Sequence, residues 1–295
     1  MIEEEKPLKC MSKNRILKNL NVTCLGFFFL FCAFQSNATL KTTINKQGSM
    51  SQSVIYIAQA FSALLFPKLM ITKLGCKYTY ILSIVTHIPF MISNYFGDFL
   101  SQFLTSIFLG LGGATLWSSA CTYINEICSL YSSQNEEPVD FVTTRFFGIF
   151  FMIFQISQLC GNLVTFLILR SINSENTNKT AEEEIGNGSV TCGINFCGEM
   201  KYQLSLLTNE RRFILITVYL VFTVLSVIVV ALFLDQLQRN NAEKDSNILF
   251  SKLSATLKHM RKPNQILMVP ITIFMGMEQA FILSDYAEVS YFICV

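Results

Sequence analysis

Charged residues are scarce in this chain: Asp, Glu, Lys and Arg make up only 14% of its 295 residues, against 52% hydrophobic residues. An average soluble domain carries about 25% charged residues, so this scarcity excludes an ordinary soluble domain. The chain has no basic patch, and we therefore expect no nucleic-acid partner. The composition predicts an all-α polytopic membrane protein whose helices contact membrane lipids.

Residue patterns that support catalysis are also missing. The sequence has no phosphate-binding glycine loop, no cluster of metal ligands, and no nucleophile with a base at usable spacing. The glycines of GLGGATLW, which begins at Gly110, lie inside a predicted membrane span, where small residues let helix backbones approach closely. We therefore expect no enzymatic activity, no cofactor and no metal.

Apolar runs predict seven transmembrane helices, because each run is long enough to cross roughly 30 Å of hydrocarbon. They lie at about 16–36, 52–71, 78–95, 99–123, 146–169, 213–234 and 265–283. The predicted domains are a cytoplasmic N-terminus at 1–15, a six-helix bundle at 16–234, a cytoplasmic linker at 235–264, and helix 7 with the start of a second half at 265–295.

The distribution of positive charge predicts the topology. About two thirds of the Lys and Arg residues lie in the N-terminal segment and in the even-numbered loops. These segments are therefore predicted to be cytoplasmic. The long loop at 170–212 then faces the lumen or the exterior. It contains glycosylation acceptors at Asn178 and Asn187 and a cysteine pair, Cys192 and Cys197, for which we expect a disulfide.

The fifth predicted helix carries a polar stripe through an otherwise apolar span. Its members are Gly148, Gln155, Gln158, Asn162 and Thr165, whose spacings of seven, three, four and three residues put them on one face at about 100° per residue. Two interpretations remain open for this stripe. It packs against another helix, in this protein or in a partner, or it lines a cavity for a solute.

Other polar or interfacial residues in the predicted spans are few. Glu278 and its neighbour Gln279 lie in the seventh span, where they either join helices or line a cation or substrate site. His87 is interpreted as a neutral packing residue, with a proton relay as the alternative. Trp117, the only tryptophan, is interpreted as a packing or interfacial anchor, with a cavity wall as the alternative.

Several separated segments carry a family resemblance. They are LGCK at 74–77, GLGGATLWSSACTY at 110–123, FFGIFFMIFQ at 146–155, GNL at 161–163, the loop sequence CGINFC, and EQAF with the later SDY at 278–286. Together and in this order they resemble the uncoordinated-93 family, most closely its A-type homologues. Six helices, a charged cytoplasmic linker and a seventh helix also resemble the plan of major facilitator carriers.

The resemblance implies a major facilitator-like N-terminal half plus helix 7, with the C-terminal half missing, so that the chain is expected to be a fragment or an isoform. It also implies a plasma-membrane or endomembrane location and regulation of a two-pore potassium channel or another membrane protein. A solute carrier and a trafficking escort for membrane receptors are the alternative functions. The resemblance brings no established functional residues to this chain.

Overall fold

The computed structural model describes residues 11–44, 46–173, 209–237 and 261–282. Within these ranges the chain forms helices and no strand, which confirms the predicted all-α fold. The helices are α1 (Lys13–Ile44), α2 (Lys46–Val85), α3 (His87–Phe96), α4 (Phe99–Asn135), α5 (Val139–Asn173), α6 (Asn209–Phe233) and α7 (Pro263–Phe281).

Helix α1 lies at the centre of the bundle, where it packs against α2, α4, α5 and α6. Of its most apolar stretch 67% is buried, compared with 17% for α5. The fully buried ring of Phe27 lies 4.7 Å from the ring of Phe150 on α5 and 5.8 Å from that of Tyr80 on α2, measured between centroids. Helix α5 is therefore a peripheral helix with a broad exposed face.

Within the described ranges, the four helices α1, α4, α5 and α6 are long and apolar enough to cross a membrane. The segments Met50–Leu64 and Phe66–Phe96 together meet the same test as a fifth span, with a bend of 73° between them. The chain is therefore a multi-pass membrane protein. The sequence predicted two separate spans in this region, at 52–71 and 78–95.

The predicted seventh span, 265–283, corresponds to the helix α7, which is not among the helices that meet this test. Polar residues near both of its ends, Gln265 and the pair Glu278 and Gln279, dilute its apolar content. Every described residue of α7 is exposed. Its helical structure agrees with the prediction, but its assignment as a membrane span stays a prediction.

Helix α2 is interrupted at Gly75, which has φ 80° and ψ 165°. A positive φ of this size is open to glycine and strained for residues with a Cβ atom. Gly75 belongs to the LGCK segment and lies in the predicted connection between the second and third spans. The sequence thus located this break, although the helix on both sides extends further than predicted.

Helices α4 and α5 are longer than the predicted spans because they continue beyond the apolar runs. Asn125 and Glu126 lower the hydropathy after the predicted end at residue 123, yet Ile124, Ile127 and Cys128 remain fully buried on one face. The turn between the two helices is confined to 136–138. A helix can therefore continue into the polar zone as long as one of its faces still packs.

The glycines of GLGGATLW allow α4 to approach α2 closely, as predicted. A Cβ atom built on Gly110 would lie 2.5 Å from the Cβ of Ala58 and 2.6 Å from the carbonyl oxygen of Ile55. One built on Gly112 would collide with the side chain of Thr86. These glycines therefore serve helix packing.

Candidate functional site

The candidate site is the exposed face of α5, where two of the predicted stripe residues lie among apolar side chains. Gln155 and Asn162 are exposed. Met152 and Leu159, on the same side of the helix, are 55% and 72% exposed. Because residues seven apart lie on one side of a helix, Gln155 and Asn162 form a short polar strip on an apolar surface.

Gln158 completes this strip. It is half-buried, and its Nε2 donates a hydrogen bond to Oε1 of Gln155 at 3.1 Å. A spacing of three residues brings these side chains together on the helix surface. We refer to Gln155, Gln158 and Asn162 as the amide face. Its hydrogen-bonding capacity exceeds this single bond, because each amide offers two N–H donors and one carbonyl acceptor.

Thr165, at the other edge of the predicted stripe, lies inside the bundle. Its hydroxyl forms hydrogen bonds with the hydroxyl of Tyr219 on α6 at 2.7 Å and with the carbonyl of Gly161 at 2.9 Å. At about 100° per residue, Thr165 lies roughly 80° around the helix from Gln155. The stripe thus extends from the exposed side of α5 to its contact with α6.

Trp117 lies behind α5 in a cluster of aromatic rings. Its ring centroid is 5.1 Å from Phe27 of α1, 5.2 Å from Phe154 and 6.5 Å from Phe151, the last two on α5. Edge-on and stacked pairs at such distances are favourable. The half-buried Trp117 therefore packs α4 against the segment of α5 that leads into Gln155.

Glu278 and Gln279 are exposed on α7, and no residue of that helix is buried. None of the hydrogen bonds among the described residues joins them to the amide face. Sequence reasoning grouped these residues with Trp117 and the amides as a cavity or partner-binding site. The described contacts join Trp117 to α5 and leave Glu278 and Gln279 apart from it.

His87 is 3% exposed, and its Nδ1 is 3.0 Å from the carbonyl oxygen of Ser83. Its ring forms a T-shaped contact with the ring of Phe34, with 5.7 Å between the centroids. Asn178, Asn187, Cys192 and Cys197 lie outside the described residues. Glycosylation and the disulfide therefore stay predictions.

An ionic contact between the ends of α1 and α6 was missed by sequence reasoning. Asp235 accepts hydrogen bonds from Arg15 Nε at 2.7 Å and from Lys18 Nζ at 2.9 Å. The backbone of Asp235 also binds side chains, donating to Asn19 at 3.3 Å and accepting from Tyr123 at 2.8 Å. The two cations hold the pKa of the Asp235 carboxyl well below its ordinary value of 3.8.

A sequence signal for this contact did exist. Asp235 is the first carboxylate after the sixth apolar run, while Arg15 and Lys18 flank the first run on the same predicted side of the membrane. Opposite charges at neighbouring helix ends are candidates for pairing. The missing information was that α1 and α6 are neighbours.

These features define a multi-pass α-helical membrane protein whose exposed polar surface includes a strip of amides within a span. In the part of the chain that the structure describes, no group of His, Cys, Asp and Glu is suited to hold a metal ion. Residues 39–293 match the model of the family described as ion channel regulatory protein UNC-93. The chain belongs to this family, which confirms the resemblance carried by its motifs.

Individual relatives agree with this assignment. Protein unc-93 homolog A of Xenopus laevis is 33% identical over 292 residues, covering 94% of this chain and 62% of the relative. The human homolog A is 30% identical over 295 residues, with 95% and 62% covered. The Caenorhabditis elegans protein named "Putative potassium channel regulatory protein unc-93" is 31% identical over 289 residues, with 94% and 40% covered. The chain spans about three fifths of the homolog A proteins.

Proposed function

We propose that this chain is a non-enzymatic regulatory protein of a potassium channel and that the amide face of α5 contacts the channel within the membrane. The family description and the name of the nematode relative support this class of function. The observation that carries the proposed contact is the exposure of Gln155 and Asn162 among apolar side chains near the middle of a span.

The energetics of amides in lipid favour a protein neighbour for this face. A side-chain amide without hydrogen-bond partners costs about 2–7 kcal/mol in an apolar medium, and Gln155 and Gln158 share only one bond. A hydrogen bond to a neighbouring helix in a membrane contributes about 0.6–1.7 kcal/mol. Several such bonds stabilise a complex in which the amide face is covered.

The rigidity of α5 supports the same proposal. Trp117 packs against Phe151 and Phe154 directly before Gln155, and Thr165 binds Tyr219 directly after Asn162. The amide face is thus held at both ends by contacts with the bundle. A surface held in this way binds a partner with little loss of conformational entropy.

The test is the potassium current of a two-pore channel expressed with this chain, normalised to the amount of channel at the surface. Gln155→Leu combined with Asn162→Leu removes the exposed amides and should abolish any change in current that the unaltered chain causes. Met152→Leu, on the same exposed face, is the matched control and should leave regulation intact. Loss of regulation in the control, or its retention in the double variant, would contradict the proposal.

We also propose that the N-terminus is cytoplasmic and that the protein resides in the plasma membrane or an endomembrane. This orientation places residues 174–208, between α5 and α6, in the compartment where Asn-linked glycans are attached. Endoglycosidase treatment should therefore shift the electrophoretic mobility of the protein, and Asn178→Gln combined with Asn187→Gln should remove the shift. An unaltered mobility of the treated protein, or glycosylation of an N-terminal tag, would argue for the opposite orientation.

A further inference from the structure

A polar cluster lies between α1, α3 and α6, at the end of the bundle where α1 and α3 finish and α6 begins. Asn37 and Lys41 are one turn apart on α1, Asn94 is on α3, and Arg212 is near the start of α6. Asn37 and Asn94 are only 3% and 4% exposed. Nδ2 of Asn94 donates a hydrogen bond to Oδ1 of Asn37 at 3.3 Å, which joins the two helices.

Four buried polar atoms of this cluster have no hydrogen-bond partner among the described residues. They are Asn37 Nδ2, Lys41 Nζ, Asn94 Oδ1 and Arg212 Nε. Three of the four atoms are hydrogen-bond donors and one is an acceptor, so the cluster has more unpaired donors than unpaired acceptors. Lys41 Nζ lies 4.6 Å from the centroid of Phe90, a cation–π contact that attracts the charge but accepts no conventional hydrogen bond.

The cluster also carries positive charge that no carboxylate among the described residues neutralises. Lys41 lies one turn after Asn37 on α1, and Arg212 donates to the carbonyl of Tyr95, the residue after Asn94, so both cations lie close to the Asn37–Asn94 hydrogen bond. The ion pairs of the described residues join Arg15 and Lys18 to Asp235 and Arg145 to Glu137. No described carboxylate therefore pairs with Lys41 or Arg212. Arg212 uses Nη2 to donate to the carbonyl of Tyr95 at 3.1 Å, which holds the guanidinium in place without neutralising it.

Two neighbouring cations and an unsatisfied buried amide are costly at the edge of a membrane unless an anion accompanies them. We propose that this cluster binds a phosphate-type oxyanion, either the head group of an anionic phospholipid or free inorganic phosphate. A guanidinium, an ammonium and an amide N–H can donate to different oxygens of one tetrahedral group. The site is separate from the amide face of α5.

Thermal unfolding of the purified 295-residue chain tests this proposal and separates the two sources. One arm compares nanodiscs of phosphatidylcholine with nanodiscs that also contain phosphatidylglycerol. The other titrates inorganic phosphate against chloride at constant ionic strength in detergent. If the unfolding temperature rises saturably in the phosphatidylglycerol arm and not in the phosphate arm, the ligand is a lipid head group. If it rises with inorganic phosphate, the ligand is a free anion. No rise in either arm would overturn the proposal.

Lys41→Gln should weaken the apparent affinity at least about tenfold, because it removes a charged donor. Lys73→Gln is the matched control: Lys73 is an exposed cation on α2, and its loss changes the net charge equally. The control should bind the anion as the unaltered protein does. Equal weakening in both variants would show general attraction to positive charge and contradict a built site.

Asn37→Asp tests the same site without removing a cation. The new carboxylate keeps an acceptor for Asn94 and supplies an internal anion to the cluster. The variant should unfold at a higher temperature than the unaltered chain when no anion is added, and it should no longer respond to the anion. A variant that responds as the unaltered chain does would refute the assignment, even if Lys41→Gln failed to fold.

Discussion

The crossing of α5 over α1 depends on the absence of a side chain at Gly161. A Cβ atom built there would lie 3.0 Å from the carbonyl carbon of Cys32 and closer still to its carbonyl oxygen and to Oγ of Ser36. The neighbour on one side is backbone, which cannot rotate away. The Sγ of Cys32 also donates to the carbonyl of Ser157 at 3.1 Å in this crossing, so the two helices have little freedom to separate.

We expect Gly161→Ala to destabilise the bundle by about 1–3 kcal/mol, the usual cost of forcing extra volume into a packed contact. Gly148→Ala is the matched control on the same helix, because, apart from the adjacent backbone of α5 itself, no described heavy atom lies within 4 Å of a Cβ built at Gly148. Exchanging an unconstrained helical glycine for alanine stabilises by about 0.5–1 kcal/mol. The two substitutions should therefore differ by roughly 1.5–4 kcal/mol.

Reversible unfolding in mixed detergent micelles provides the measurement. Trp117, the only tryptophan of the chain, packs between α1 and α5, so its fluorescence reports the separation of these helices. The free energy of unfolding should fall for Gly161→Ala and stay level or rise for Gly148→Ala. Equal effects of the two substitutions, or a larger loss for Gly148→Ala, would refute the close approach at Gly161.

Two further predictions concern polar contacts between helices. Asp235→Asn should lower the free energy of unfolding by about 1–2 kcal/mol at pH 7, because Arg15 and Lys18 lose a partly exposed anionic partner. The pKa of Asp235 is depressed in the folded protein, so this stabilisation is present when the pH is above the ordinary pKa of 3.8 and is lost as the pH falls through the folded pKa. If the difference in stability between variant and parent persisted unchanged in strong acid, the ion pairing would be contradicted. Thr165→Val and Tyr219→Phe should each cost about 0.6–1.7 kcal/mol, and the double variant should lose less than the sum in the same unfolding assay; strict additivity would argue against their hydrogen bond.

Several features of the fold were predictable because they depend on local sequence. The scarcity of charge and the apolar runs predicted an all-α membrane protein, and the family motifs predicted the family that the comparison confirms. The interruption near Gly75 was also predictable, because the apolar runs end on either side of it. The close approach at Gly110 was predictable because small residues let helix backbones approach. The arrangement as half of a major facilitator carrier stays a prediction.

Other features depend on which helices become neighbours, and local sequence does not contain that information. Helical spacing placed Thr165 in one stripe with Gln155, but the position of α6 decides that Thr165 is buried and Gln155 exposed. In the same way, Asp235 could be paired with Arg15 only once α1 and α6 were known to be adjacent. The hydropathy pattern also predicted too early an end for the fourth helix. Hydropathy averages the residues on all faces of a helix, whereas a helix can continue when only one of its faces is apolar and packed.

The most direct test of the account is the current per surface channel of a two-pore potassium channel expressed alone, with this chain, and with the chain carrying Gln155→Leu and Asn162→Leu. We predict that the unaltered chain changes this current, that the double variant does not, and that both chains reach the membrane in equal amounts. An unchanged current with the unaltered chain, or an equal change with both chains, would contradict regulation through the amide face.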